Sequence, residues 1–203
     1  MDIWLPLCVL GVIVSLPLHF ASVEHLGLEA RYGEERGRRI GEVLGVVSGW
    51  GFFASWIGIW VSPQPRFYLP SGLPMIGAVL AHPISSIHLI LAVPLVSLGA
   101  WLGVSGVREV TLRVAETHRT ERIVTAGVYS LVRHPQYLGA LIAHVGISLL
   151  LSALYSLALT PLMVLVVYLI SWKEERELIN EFGAEYEEYM GRVPMLIPRL
   201  GKR

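Results

Sequence analysis

An all-α integral membrane protein is predicted by three observations on the chain. Of its 203 residues, 54% are hydrophobic and 16% charged, and the mean hydropathy of +0.58 lies outside the usual range of soluble domains. Residues 3–20, 43–61, 67–107 and 134–172 contain no Asp, Glu, Lys or Arg. The charges gather in the segments between and after these runs.

A helix crosses a hydrocarbon core of about 30 Å with roughly 20 residues, so residues 3–20 and 40–61 each predict one span. Leu73–Val107 contains Pro74, Pro83 and Pro94, and a proline lacks the amide donor that a helix interior uses. The reading here is a span over 84–107, preceded by an interfacial or re-entrant segment over 66–82. The run 136–172 is too long for one crossing, at about 55 Å if helical. It predicts a helical hairpin, spans 136–151 and 156–172, that turns near Ser152–Tyr155. The result is five transmembrane helices in a single domain, 1–203, without an internal repeat or linker.

Basic residues collect on the cytoplasmic side of a membrane. With the N-terminus outside, Arg31, Arg36, Arg38, Arg39, Arg108, Arg113, Arg119, Arg122, Arg133, Lys173, Arg176, Arg192, Arg199, Lys202 and Arg203 all face inward. Arg66 alone lies outside. A sixth span would move the central loop and the tail to the outer side, against the rule. The expectation is therefore an integral membrane protein, of the cell membrane in a prokaryote, with its C-terminus and active site cytoplasmic. Asp2 stands where a signal peptide carries positive charge, so the first span does not read as a cleaved leader.

Several function classes are disfavoured. The lone cysteine, Cys8, excludes an internal disulfide and a cysteine-rich metal site. Neither HxxxH nor HExxH spacing occurs, so no metal is expected, and the absence of GxSxG disfavours a serine hydrolase. Zero net charge gives no reason to expect nucleic acid.

Three cytoplasmic segments remain. Ala21–Arg39 balances arginines against glutamates and reads as a solvated, salt-bridged connector. Arg108–Gln136 has extended character at Arg122–Thr125, then enters Gly127–Gly139, GVYSLVRHPQYLG. Pro135 suits the first turn of the next helix and places His134 at its N-cap, where free N–H groups and the helix dipole favour an anionic ligand. The tail carries Leu178, Phe182, Tyr186 and Tyr189 at steps of 4, 4 and 3, one apolar seam of an amphipathic helix with a break at Gly183. So acidic a helix is repelled by anionic lipid; it is expected to fold back over the basic central loop and close a cavity, with Val193–Pro198 as an extended strap.

The hairpin returns Glu174 and Glu175 to the membrane face of His134. Ionisable groups at the margin of a span are functional candidates. Glu174, nearest the span's end, is chosen; Glu175, Glu177, Glu181, Glu185, Glu187 and Glu188 read as ordinary helix residues. His82, His88 and His144 read as hydrogen-bonded interior groups, and Gly99, Gly103 and Gly106 as sites of close helix contact.

The runs 124–139, 174–189 and 193–198, in this order and spacing, resemble the isoprenylcysteine carboxyl methyltransferase family, which belongs with the phospholipid N-methyltransferases among small membrane methyltransferases. The resemblance covers about residues 121–198, the catalytic region. It implies S-adenosylmethionine in a cytoplasmic pocket under the C-terminal segment, and an acceptor entering from the bilayer. That acceptor is a lipophilic small molecule or prenylated substrate, an isoprenylcysteine-like carboxylate or a lipid head group, with membrane lipid as the surrounding partner. Carried over by position, cofactor contacts fall on Ile123, Val124, Tyr129, His134, Pro135, Gln136, Tyr137 and Glu174. His134 and Glu174 are the catalytic pair, and His134 with the following helix N-terminus holds the cofactor's amino-acid end. Carboxyl-methylating members carry an arginine one turn before the matching glutamate. Here Ile170 stands there, with Lys173 the nearby cation, which puts an isoprenylcysteine substrate in question. Sterol-type membrane reductases, which use NADPH, share an Arg-His-Pro motif and a tyrosine-rich tail. They favour Asp where this chain has Ala140 and Arg-Asp where it has Glu174-Glu175. A non-catalytic membrane protein of the same fold is the third reading.

Overall fold

A computed structural model describes residues 3–79, 82–111, 114–115, 120 and 122–199. Arg113, Arg119, Lys202 and Arg203, used above for orientation, lie outside the described residues, as do positions 80 and 81 of the 66–82 segment and 121 at the start of the catalytic region. In chain order the elements are α1 (Trp4–Val23), α2 (His25–Tyr32), α3 (Glu34–Val61), β1 (Met75–Val79), β2 (His82–Ser85) and α4 (Ser86–Val110). A 3-10 turn (Gly127–Ser130) follows, then α5 (Pro135–Leu150), α6 (Leu154–Ala158), α7 (Thr160–Phe182) and α8 (Ala184–Arg192).

The protein is a helical membrane protein. Helices α1, α3 and α4 are each long and apolar enough to cross a bilayer, and α5 is a shorter apolar helix. Helix α7 has 23 residues, but its apolar part ends at Trp172 and charged residues follow from Lys173. Side chains such as Leu7, Val14, Val47, Ile57, Val93 and Leu165 are about half exposed, the surface a helix offers to hydrocarbon.

Two expectations are corrected. The fold is not purely helical, because the 66–82 segment supplies strand β1 and leads into β2. β1 and β2 form an antiparallel hairpin in which Ala78 pairs with Pro83. Pro74 and Pro83 deny this stretch helical donors, while Gly77, at φ +61, sits in the register irregularity between Met75 and Ala78. The connector 21–39 is mostly helix, since α3 begins at Glu34 rather than near residue 40 and α2 precedes it. Glu34 and Glu35 in the first turn of α3 suit a helix N-terminus.

The helices pack in two ways. Helices α1, α3 and α7 enclose a core of Val12, Phe52, Trp56, Ile59, Met163, Val166, Val167 and Ile170. Helices α4 and α5 instead meet backbone to backbone. A Cβ added at Gly99 would stand 2.5 Å from the Gly139 carbonyl oxygen, and one at Gly139 would stand 2.5 Å from that of Gly99. Such small-residue contact lets helices approach without a hydrophobic driving force in lipid.

At the end of the α5–α7 hairpin away from the tail, hydrogen bonds fasten the loops. Arg66 Nη1 donates to the Leu151 carbonyl at 2.7 Å, and the Ser156 amide donates to Gln64 Oε1 at 2.8 Å. His88 Nδ1 lies 2.9 Å from Ser152 Oγ, and its Nε2 accepts from the Leu69 amide at 3.1 Å. His144 Nδ1 accepts the indole N–H groups of Trp56 and Trp60 at 2.7 and 2.9 Å. His88 and His144 are thus hydrogen-bonded interior groups, as the sequence leads one to expect.

Candidate active site

Pro135 occupies the first turn of α5 and His134 its N-cap, as the Arg-His-Pro triplet suggests. The His134 side chain makes no cap bond to its own helix. Its ring turns to α7, with Nε2 3.0 Å from Glu175 Oε1 and Nδ1 3.4 Å from Glu174 Oε2. The imidazole is 8% exposed and lies between two carboxylates. Stacking on the Tyr137 ring, with centroids 5.7 Å apart, fixes its plane.

Glu174 and Glu175 diverge because neighbours on a helix point about 100° apart. Glu175 turns inward, 3% exposed, and accepts two parallel bonds from Arg133, Nε to Oε1 at 2.7 Å and Nη2 to Oε2 at 2.9 Å. Such bidentate pairs combine charge with geometric specificity. Arg133 Nη1 also donates to the carbonyls of Met190 (3.1 Å) and Val193. The reading of Glu175 as an ordinary helix residue is therefore corrected: it is the buried counter-charge of Arg133. A paired Arg and Glu at a membrane margin was the available signal, since a buried charge needs a partner.

Glu174 instead faces a cavity. Its Oε1 accepts from the Tyr137 hydroxyl at 2.5 Å and stands 3.1 Å from His19 Nε2. The cavity measures about 210 Å³ and is walled by Ile123, Val124, Tyr129, His134, Gln136, Tyr137 and Glu174 among others. Seven of the eight positions named from the sequence resemblance are therefore brought together. Pro135 is the exception: it is buried in the first turn of α5, close to Gly106, and does not line the space.

The tail closes over this chamber. The Arg133 and His134 amides donate to the carbonyls of Pro194 (2.9 Å) and Met195 (3.1 Å), so the strap lies along the loop. Tyr189 Oη donates to the Tyr129 carbonyl at 2.6 Å. Tyr186, Tyr189 and Val193 pack with Ile123, Leu178, Ile179, Phe182 and Met190, which is the seam read from the sequence. Gly183, at φ +56, turns the chain between α7 and α8 in the left-handed region that favours glycine.

The charges reinforce one another. Burial alone would lower the pKa of His134, but its hydrogen bonds to Glu174 and Glu175 and their charges raise it instead. Burial would raise that of Glu175, and the bonds from His134 and Arg133 outweigh this and lower it. The two shifts support each other: the carboxylates favour the protonated form of His134, and His134 and Arg133 favour the ionised form of Glu175. Tyr129 is pushed up to about 12, chiefly by burial; the Gln136 hydrogen bond opposes this, and the charges of Glu174 and Glu109 add to it. Its hydroxyl stays neutral.

Sequence reasoning missed the contribution of the first helices. His19 and Ser15 from α1, and Ser48, Phe52 and Phe53 from α3, line the same cavity. No local pattern marks them, because an apolar span gives no hint of which face meets a distant chamber. Ile170 lines the cavity as well. Lys173 is held by Glu24 at 2.7 Å and Glu177 at 2.9 Å, while Arg122 and His25 are the basic side chains that line the cavity beside Arg133, His19 and His134.

A helical membrane protein with a buried Glu-His-Glu-Arg cluster beside a roofed cavity is the class that fold and site define. Residues 87–185 match the family model described as phospholipid methyltransferase. Methanethiol S-methyltransferase 2 of Bradyrhizobium diazoefficiens is 42% identical over 78 residues, 37% of this chain and 29% of the relative. Protein-S-isoprenylcysteine O-methyltransferase of Schizosaccharomyces pombe is 34% identical over 92 residues, 41% of this chain and 36% of the relative. For protein-S-isoprenylcysteine O-methyltransferase B of Arabidopsis thaliana the figures are 33% over 97 residues, 44% and 44%. The chain spans less than half the length of these curated relatives.

Proposed function

We propose that this chain is an S-adenosylmethionine-dependent methyltransferase of the membrane. In this reading it is one domain of five spans, with the N-terminus outside and the chamber at the cytoplasmic face. Its acceptor is a lipophilic molecule reaching the chamber from the bilayer. Relatives named for methanethiol and for isoprenylcysteine bracket the acceptor chemistry. The fifth span is α7 up to Trp172. A hairpin returning the chain to its starting face is what allows residues 134 and 174 to meet.

One observation carries the reading. Glu174 lies on the cavity wall, where its Oε1 accepts from the Tyr137 hydroxyl and stands 3.1 Å from His19 Nε2, and its Oε2 stands 3.4 Å from His134 Nδ1. A carboxylate so fixed on a cavity wall is an acceptor for a ligand's hydroxyl or ammonium group. The other walls fit the same ligand. The first turn of α5 and the Tyr129–Gln136 pair offer donors for an amino-acid end, and Phe52, Phe53 and Val110 offer flat apolar surface for a base.

When bound, the cofactor supplies an electrophilic methyl group on a sulfonium. Glu174 orients it through hydrogen bonds, and His134 holds Glu174 in place. Arg133 and Glu175 keep the strap down over the chamber. Alignment of donor and acceptor contributes up to several kcal/mol of barrier lowering, and the roof of Tyr186 and Tyr189 excludes water.

Calorimetry on the full chain in detergent tests this. S-adenosylhomocysteine should bind the wild type and lose affinity in Glu174→Gln. Binding of NADPH in its place would favour the reductase reading, and unchanged affinity in Glu174→Gln would overturn the site assignment. Radiolabelled methyl transfer into a total membrane extract then identifies the acceptor.

A further inference from the structure

A second cleft, of about 480 Å³, lies between the tail and the loop before α5, lined by Thr125, Ser130, Tyr189, Arg192, Val193 and Arg199. Tyr189 also lines the chamber, so the two spaces share part of one roof. Residues 191–203 hold Arg192, Arg199, Lys202 and Arg203 and no Asp or Glu. Arg192 meets Glu188 of α8 at 3.7 Å with both side chains well exposed, and such a pair contributes little. The cleft is basic and suits an anion.

The strap carries this basic segment to the bilayer. Its carbonyls take the loop amides in step, Pro194 from Arg133 and Met195 from His134, so strap and loop run the same way, toward the start of α5. The next residue, Leu196, packs against the core that α1, α3 and α7 enclose. Ile197 follows at 81% exposed, the highest of any large hydrophobic side chain among the described residues. A single exposed apolar residue needs no explanation by itself. This one continues a segment packed on the spans, and two residues later Arg199 is back at the cleft. Apolar contact at the membrane margin with basic groups beside it is the pattern that binds anionic lipid.

We propose that this cleft binds an anionic phospholipid of the adjoining leaflet, its phosphate held by Arg192 and Arg199 and an acyl chain lying along Ile197. Guanidinium groups match phosphate oxygens in a bidentate fork, and Thr125 adds a hydroxyl to the wall. The strap, Val193–Pro198, lies in sequence between the two arginines. A phosphate bridging them closes the strap over Arg133 and His134 and steadies the Tyr189 roof. A zwitterionic lipid offers the same chain but no net charge, and inorganic phosphate offers the charge without the chain. The site is separate from the chamber and does not depend on the methyl-transfer reading.

The test titrates lipids into the full chain in neutral detergent and follows its melting midpoint. Dioleoylphosphatidylglycerol should reach half-effect at about 30-fold lower concentration than dioleoylphosphatidylcholine, the factor expected from two charges near the membrane surface. The double variant Arg192→Gln, Arg199→Gln should lose that preference, and Arg192→Lys, Arg199→Lys should keep most of it. Comparing each variant with itself in the two lipids removes any general loss of stability, and the wild-type comparison needs no variant. Inorganic phosphate at the same concentrations should leave the midpoint unmoved. An independent readout is hydrogen exchange of the Arg133 and His134 amides, which bond to the strap. Phosphatidylglycerol should slow it in the wild type and not in the glutamine variant. Equal half-effects for the two lipids, a phosphate response matching that of phosphatidylglycerol, a glutamine variant that keeps the preference, or unchanged exchange at 133 and 134 would overturn the inference. A chain that binds phosphatidylglycerol in this way but not S-adenosylhomocysteine keeps the lipid site and loses the methyl-transfer reading alone.

Discussion

The two ends of the α5–α7 hairpin both bury polar groups, and they do so in opposite styles. At the loop end, His88, Ser152, His144, Trp56 and Trp60 share hydrogen bonds between side chains that carry no carboxylate, ammonium or guanidinium group. At the tail end, Arg133, His134, Glu174 and Glu175 form a cluster of ionisable groups, and the cluster borders a chamber. A neutral network needs only to satisfy its donors and acceptors. A charged one must also offset desolvation, which it does by pairing each charge with another. Retaining that expense beside a cavity marks the tail end as the working end, and the loop end as a fastening.

Breaking each network should separate these roles. The largest effect is expected from Arg133→Ala, which leaves Glu175 buried without its counter-charge and frees the strap carbonyls. A loss of about 3–5 kcal/mol is expected in unfolding followed in detergent, together with loss of S-adenosylhomocysteine binding. His88→Ala, at the other end, strands the Leu69 amide and Ser152 hydroxyl at a cost of about 1–3 kcal/mol. The same titration should show its ligand affinity unchanged, and a matching drop in affinity would erase the distinction between the two ends. Gly139→Ala sets a Cβ against the Gly99 carbonyl and should cost about 1–3 kcal/mol by overpacking, read as a lower melting midpoint.

The smallest effect sharpens the contrast through pH. His134 has a raised folded-state pKa, so its contribution to stability is complete below its ordinary value of 6.5 and fades as pH rises through the raised value. Glu175 has a lowered one, so its contribution is complete above its ordinary value of 4.5 and fades as pH falls through the lowered value. Thermal stability should therefore be highest between about pH 4.5 and 6.5 as far as this pair is concerned. His134→Gln should remove the upper limb, and a profile that keeps this limb in the variant would assign it to another group.

Much of this molecule was determined by its sequence. Charge-free runs announce spans because an unpaired charge in hydrocarbon is costly wherever the chain goes, and Pro135 starts α5 because its fixed φ and missing N–H suit only a first turn. The seam Leu178, Phe182, Tyr186 and Tyr189 likewise announces a tail that must cover something. Tertiary structure alone decided the rest. Glu174 and Glu175 are chemically identical neighbours, and only the position of Arg133 makes one a buried strut and the other a cavity wall. His19 stands 155 positions from Glu174 in the chain, inside a span whose composition is the same whichever face it turns inward. Contact between such residues is a property of packing, since helical periodicity fixes which residues share a face but leaves open what that face will meet.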